Sequence, residues 1–209
     1  MSDFSFVDHF VYAGPNLAEA IDHVEQICGV RPSDGGAHVG LGTRNALLAL
    51  GGNTYLEVIG PDTEQEAPKG PRPFGIDDLS NPRLVTWASS SSDLSAMVGQ
   101  AASTGINLGQ ALPMSRRKPD GDRLEWELTI RPWTRPIEPI PFFIDWGKTP
   151  SPAATVEERA ELAAFTVFWP EAEALTQDFE ALGLPIKAEE GDPLIAITLN
   201  TSSGPVRLS

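Results

Sequence analysis

Residues 35–60 read GGAHVGLGTRNALLALGGNTYLEVIG. Apolar residues recur there in three short runs separated by glycine-containing turns, the pattern of strands joined by tight connections. Strands are expected near Ala37–Leu41, Asn45–Leu50 and Thr54–Ile59. Two titratable residues, His38 and Glu57, interrupt runs that otherwise read as buried. A buried polar group is either paired within the fold or faces something, so both residues mark a place to look for chemistry.

Upstream, FSFVDHFVYAGPNLAEAIDHVEQICGV (4–30) reads as a strand followed by a helix. Leu17, Ala20, Ile21, Val24, Ile27 and Cys28 fall on one helical stripe, which predicts a buried face. Asn16 and Glu19 have the spacing of a capping box, and Gly29 supplies a C-terminal stop. The segment therefore forms a βαβββ unit of about residues 4–60.

The same order starts again at RLVTWASSSSDLSAMVGQAASTG (83–105), with Asp93 as cap and Gly105 as stop. A shift of 77 positions lays His9 on Thr86 and Leu17 on Leu94. Strands near Leu124–Ile130 and Phe142–Trp146 follow, and PFFIDWG (141–147) ends this second unit with Asp145 in the place of Glu57. A third pass, AAFTVFWPEAEALTQDFEALGLPI (163–186), is strand then helix, with Leu175, Phe179 and Leu182 on one face and Gly183 at its end. LIAITLNTSSGPVRLS (194–209) reads as a closing hairpin. Stacked copies of one supersecondary unit are the simplest account. Proline- and acid-rich stretches at 60–82 and 147–162 read as exposed connections. The expected division is a two-module domain over 1–150, with modules near 4–60 and 83–147, and a partial βαββ module over 151–209.

A formal charge of −14 over 209 residues opposes nucleic-acid binding and attraction to anionic membranes. No run approaches the length of a membrane span, and a cytoplasmic location is expected. The single cysteine, Cys28, excludes an internal disulfide and sits among the apolar helix positions. Small molecules remain as partners, with a homodimer as one way for the third unit to cover its apolar face.

The repeated βαβββ order, with DHFVYA opening a unit and YLEVIG closing it, resembles the vicinal-oxygen-chelate superfamily of glyoxalases, extradiol dioxygenases and drug-binding resistance proteins. GGAHVGLGTRNALLAL, TYLEVIG and PFFIDWG are similar to its glyoxalase-like group. The resemblance implies an α+β fold in which paired modules curve one sheet around a cavity, with metal ligands from the first and fourth strands of each module. His9 and Glu57 match those positions in the first module, and Thr86 and Asp145 stand there in the second. Alternation is consistent with this: His9 shares a strand face with Val7 and Val11, and Glu57 with Tyr55 and Ile59.

His9, Glu57 and Asp145 would offer one nitrogen and two oxygens to a divalent metal, leaving positions open for a small oxygenated substrate. Such an ion supports isomerase or lyase chemistry. Glu57 is alternatively a general base. An extradiol dioxygenase wants two histidines and a carboxylate, and Thr86 stands where the second histidine would be. His38 and Thr86 are expected to line the cavity and touch substrate. SRRKPDGDRLEW (115–126) gathers Arg116, Arg117 and Lys118: either a solvated hairpin around its PDG turn, or a site where Arg116 and Arg117 grip an anion. Trp87, Trp126, Trp133 and Trp146 either pack or stack on a planar ligand. His23, off the apolar stripe, is expected at the surface. Two functions fit: a metal-assisted lyase or isomerase, and a metal-free module that binds or sequesters a small molecule.

Overall fold

The computed structural model describes residues 4–117, 121, 123–156 and 159–209. The first unit consists of β1 (Val7–Ala13), α1 (Leu17–Cys28), β2 (Ser33–His38), β3 (Thr43–Ala49) and β4 (Tyr55–Pro61). The second consists of β5 (Arg83–Ser90), α2 (Leu94–Ser103), β6 (Gln110–Arg117), β7 (Arg123–Ile130) and β8 (Phe142–Asp145). Their strands close into one barrel in the order β1-β4-β3-β2-β6-β7-β8-β5. This is the curved sheet of an α+β fold.

Local signals explain the boundaries. The Asn16 side chain accepts the backbone N–H groups of Ala18 and Glu19 and donates to Glu19 Oε1 at 3.0 Å, while Gly29 ends α1 with φ 70°. Asp93 caps α2 by accepting from Ala96 N at 2.9 Å. In β2 the strand runs earlier than the sequence pattern predicts, because Gly40 and Gly42 adopt φ 79° and 61° and turn the chain after His38. Strand β6 is absent from the expected elements. Pro113 lies inside it, and is tolerated because, among the described residues, β2 pairs with β6 at Arg116 and Arg117 and not at Pro113.

A pseudo-twofold axis relates the two units. Strands β1 and β5 run antiparallel with His9 opposite Ala88, Phe10 opposite Trp87 and Val11 opposite Thr86, so the shift of 77 exchanges the partners about the Phe10–Trp87 pair. Successive residues of β1 serve two layers. Val11 and Ala13 join Ile59, Ile76 and Val85 inside the barrel, whereas Phe10 and Tyr12 join the outer core beneath the helices with Leu56 and Val58. Cys28 belongs to that outer core, and burial raises its thiol pKa to about 11.

The remaining chain forms β9 (Glu161–Trp169), α3 (Ala172–Ala181), β10 (Ala188–Glu190), β11 (Leu194–Thr201) and β12 (Gly204–Leu208), a four-stranded sheet in the order β10-β9-β11-β12. Strand, helix and closing hairpin follow the predicted sequence order. Their arrangement differs from the barrel units, since β9 is central, parallel to β10 and antiparallel to β11. Phe165 packs against Phe10 and Trp87 with ring centroids 4.9 and 5.1 Å apart, so this sheet covers the outside of the barrel at the pseudo-twofold axis. No helix among the described residues is long and apolar enough to cross a membrane.

Candidate active site

The barrel encloses a cavity of about 370 Å³, within the range of small-molecule sites. Inward-facing positions of all eight strands line it. His9 and Thr86 come from the two central strands, Tyr55, Glu57 and Ile59 from β4, Asn45 and Leu47 from β3, and His38 from the end of β2. The second unit contributes Met114, Arg116, Trp126, Leu128, Phe142 and Ile144, with Trp146 just beyond β8.

A bulge sets the first group. Between Val7 and His9 the register of β1 slips by one residue against β5, leaving Asp8 as the extra residue. Bulges re-aim side chains, and here Asp8 reaches its neighbour's ring: Asp8 Oδ1 lies 2.7 Å from His9 Nδ1. The other carboxylate oxygen accepts from Ser90 Oγ and Trp146 Nε1, each at 3.0 Å. An ionised carboxylate only accepts, so His9 Nδ1 carries the hydrogen of this contact and Nε2 is directed away from it. Tyr55 stacks on the His9 ring at 4.7 Å and Phe142 meets it edge-on at 5.3 Å, which fixes the ring plane.

Glu57 faces that free nitrogen, with Oε2 3.8 Å from His9 Nε2. Its Oε1 accepts from Asn45 Nδ2 at 2.5 Å and lies 3.6 Å from His38 Nε2. His38 Nδ1 is 3.1 Å from Thr43 Oγ1. Burial lowers the His38 pKa, opposed by Glu57, which favours a neutral ring. Arg116 is 4% exposed, and burial lowers its pKa against the pull of Tyr55 and Glu57.

The sequence-predicted residues divide accordingly. His9, Glu57, His38, Thr86 and Arg116 meet at one cavity. Asp145 does not: in β8, Phe142 and Ile144 point inward, and Asp145 accepts from Gly147 N at 2.7 Å near the protein surface. Register gives the physical reason. Val11 is opposite Glu57, the shift of 77 carries Val11 to Ala88, and Ala88 is opposite Phe142. Phe142 therefore occupies the position of Glu57 in the second unit. The backbone of Arg117 ends β6, while its side chain, Lys118, Pro119 and Asp120 lie outside the described residues.

A metal bound in the manner implied by the fold does not fit these residues. The first unit supplies an imidazole and a carboxylate, but the matching positions of the second supply a threonine hydroxyl and a phenyl ring. Among the described residues, no group of three His, Cys, Asp or Glu side chains is arranged to hold a metal ion.

Three residues escaped the sequence reading: Asp8, Asn45 and Tyr55 as a stacking partner. Asn45 carried a legible signal, being the polar residue on the inward face of its strand. Asp8 did not, because strict alternation places it opposite His9 and only the bulge brings the two together. Trp87 packs in the outer core, while Trp126, Trp133 and Trp146 line the cavity.

A family model described as a glyoxalase-like domain matches residues 7–183, most of the chain. The chain belongs to this family. No curated protein matches it in sequence. Among solved structures, a hypothetical protein from Staphylococcus aureus is 15% identical with a TM-score of 0.65, covering 96% of this chain and 83% of that one. A mutant of 4-hydroxymandelate synthase from Streptomyces coelicolor is also 15% identical, with a TM-score of 0.52, covering 97% of this chain and 61% of that enzyme. Methylmalonyl-CoA epimerase from Mycobacterium tuberculosis is 20% identical with a TM-score of 0.41, over 74% of this chain and 96% of the other. At these identities the first two likenesses speak to fold alone. The glyoxalase-like family places the chain in the vicinal-oxygen-chelate superfamily.

Proposed function

We propose that this glyoxalase-like chain is a proton-transfer enzyme, an isomerase or lyase, acting on a small oxygenated substrate with His9 and Glu57 as its acid–base pair. The observation that carries the reading is the approach of His9 Nε2 to Glu57 Oε2, 3.8 Å apart in a largely apolar cavity, with Asp8 fixing the ring from behind. Two proton carriers separated by little more than one atom's width can serve adjacent atoms of one substrate.

In the proposed step, Glu57 removes the proton from a carbon next to a carbonyl. Protonated His9 donates from Nε2 to the carbonyl oxygen, giving a neutral enol, and Asp8 stabilises the charged ring before transfer. Where the α-carbon carries a hydroxyl the enol is an enediol, and delivery of the Glu57 proton to the former carbonyl carbon, with the proton of the other hydroxyl passing to His9, yields an isomer. Alternatively, the enol hydroxyl proton returns to His9 while a group on the next carbon departs with its bonding pair and takes the proton held by Glu57, which yields an alkene conjugated to the carbonyl and makes the reaction a lyase step. Tyr55 and Phe142 hold the imidazole plane, and the apolar walls keep water from the enol.

The test is hydrogen exchange from a panel of 2-oxo and 3-oxo acids in deuterium oxide, followed by proton NMR. Wild-type protein is expected to wash out the α-proton of at least one class, with and without chelator, and Glu57→Gln is expected to abolish this. Exchange that follows metal content, with one divalent ion per chain lost in His9→Ala, would instead restore a metal-assisted reaction with His9 and Glu57 as ligands. Specific binding of a small molecule without exchange would favour the second reading, a sequestration protein. The apolar cavity wall and the two non-ligating positions, Thr86 and Phe142, support that alternative.

A further inference from the structure

Strands β6 and β7 bring two buried donors, Arg116 and Trp126, into the cavity that holds the acid–base pair. In the ring of eight strands, β6 lies across from β1 and β7 across from β4. Met114 pairs with Trp126 and Arg116 with Leu124, so Arg116 and Trp126 are diagonal neighbours on the inward face. Among the described residues, buried Trp126 Nε1 has no hydrogen-bond partner. No carboxylate among them stands within ion-pairing distance of Arg116, although its side chain is almost wholly buried. The other cavity arginines are occupied: Arg131 pairs with Glu138 at 3.0 Å and Arg72 with Asp77 at 2.6 Å.

A buried guanidinium with no carboxylate partner among the described residues and a buried indole N–H with no acceptor are both unfavourable, and an anionic acceptor supplied by a ligand relieves both together. The acceptor that suits them is a planar anion. A guanidinium binds a carboxylate through parallel N–H groups, and the indole donates one hydrogen more. The walls around them, Met114, Leu128, Ile144 and Trp146, are apolar or aromatic. Glu57, which faces the same cavity, disfavours a second anionic group at the reacting end.

We propose that Arg116 and Trp126 anchor the carboxylate of a small monocarboxylic acid, whose apolar body fills the cavity and presents its other end to His9 and Glu57. This inference rests on the reading of the cavity as the reaction site, and it names the substrate class. Arg116 and Trp126 position the substrate, with no part in moving protons.

Calorimetric titration of the full chain with 3-phenylpropionate and with its uncharged amide, 3-phenylpropionamide, tests the anchor without turnover. The acid is expected to bind at least about tenfold more tightly, the advantage of a charge-assisted over a neutral contact. Arg116→Met, which keeps the length and removes the charge, is expected to erase that preference. Equal affinity for acid and amide, no binding of the acid at millimolar concentration, or a preference that survives in folded Arg116→Met would each overturn the proposal. Should Arg116→Met fail to fold, the wild-type ratio of acid to amide decides. Proton exchange and acid preference fail separately: acid preference without exchange keeps the anchor and removes the acid–base reading, and exchange without acid preference does the reverse.

Discussion

Gly35 sits where β2 approaches β3, and its substitution isolates the packing that orients Glu57. A Cβ built at this position would lie 2.2 Å from Asn45 Oδ1, 3.1 Å from Asn45 Cγ and 3.0 Å from Arg116 Nη1. Real Cβ atoms do not approach within 3.0 Å, so the Asn45 amide must retreat by about 0.8 Å. The backbone of Gly35 lies outside the left-handed region, so alanine suffers no conformational penalty of its own. Overpacking of this kind costs about 1–3 kcal/mol, and moving Asn45 also weakens its 2.5 Å hydrogen bond to Glu57. A net loss of about 2 kcal/mol is expected for Gly35→Ala, or about 1 M in urea midpoint for a slope near 2 kcal/mol per molar. In an Asn45→Ala background the obstructing amide is gone. There the same substitution should be neutral or stabilising by about 0.5 kcal/mol, through reduced freedom of the unfolded chain. Urea denaturation of the four proteins in a double-mutant cycle reads a coupling of about 2 kcal/mol. Equal destabilisation in both backgrounds would refute the argument, because the clash would then not be with Asn45.

Two further outcomes follow from the same cavity and its outer cover. His38 is held below its ordinary pKa, chiefly by burial, with Arg116 and His9 acting in the same direction and Glu57 and Asp62 opposing. The unfolded chain takes up a proton near pH 6.5 that folded His38 refuses, so stability is expected to fall as pH drops below about 6.5. His38→Gln should flatten this dependence in urea midpoints between pH 7.5 and 5.5, and parallel pH profiles would contradict it. Phe165→Ala, which removes the ring wedged against Phe10 and Trp87, is expected to lower unfolding stability by about 3 kcal/mol. A loss below about 1 kcal/mol would mean that the second sheet contributes little to the barrel.

Much of the fold was legible because its signals are local. Caps at Asn16 and Asp93, the apolar stripe of α1 and the alternation around Glu57 act within a few residues, and each formed as its chemistry dictates. That His9 and Glu57 share one cavity followed from the resemblance to the vicinal-oxygen-chelate fold, with which strand alternation agrees. What failed depended on register between distant strands. Asp145 was matched to Glu57 by its charge and its place at the end of a unit, whereas the β5–β8 pairing selects Phe142. Strand β6 was obscured by Pro113, whose tolerance depends on the absence of a neighbour on one side. Arg116 read as part of a solvated turn or an anion grip, and only closure of β6 against β2 buries it. His23 is exposed as expected, yet its Nδ1 meets the Tyr12 hydroxyl at 2.5 Å, a contact from strand to helix that no short spacing announces.

The barrel is not sewn with equal strength around its circumference. Strands β1 and β5 share a long run of partners, whereas among the described residues β2 meets β6 through two pairs, Ala37 with Arg117 and His38 with Arg116. The halves are thus joined like a clamshell, with a firm hinge at the pseudo-twofold axis and a short latch opposite. Of the two seams between the halves, the one with fewer ladder bonds to part should open more readily. His38 and Arg116, two of the side chains lining the cavity, are themselves the latch, so a guest gripped by Arg116 would bolt the shell behind it. Amide exchange at Ala37 and His38 would then slow on binding, while the hinge, already tight, would register nothing.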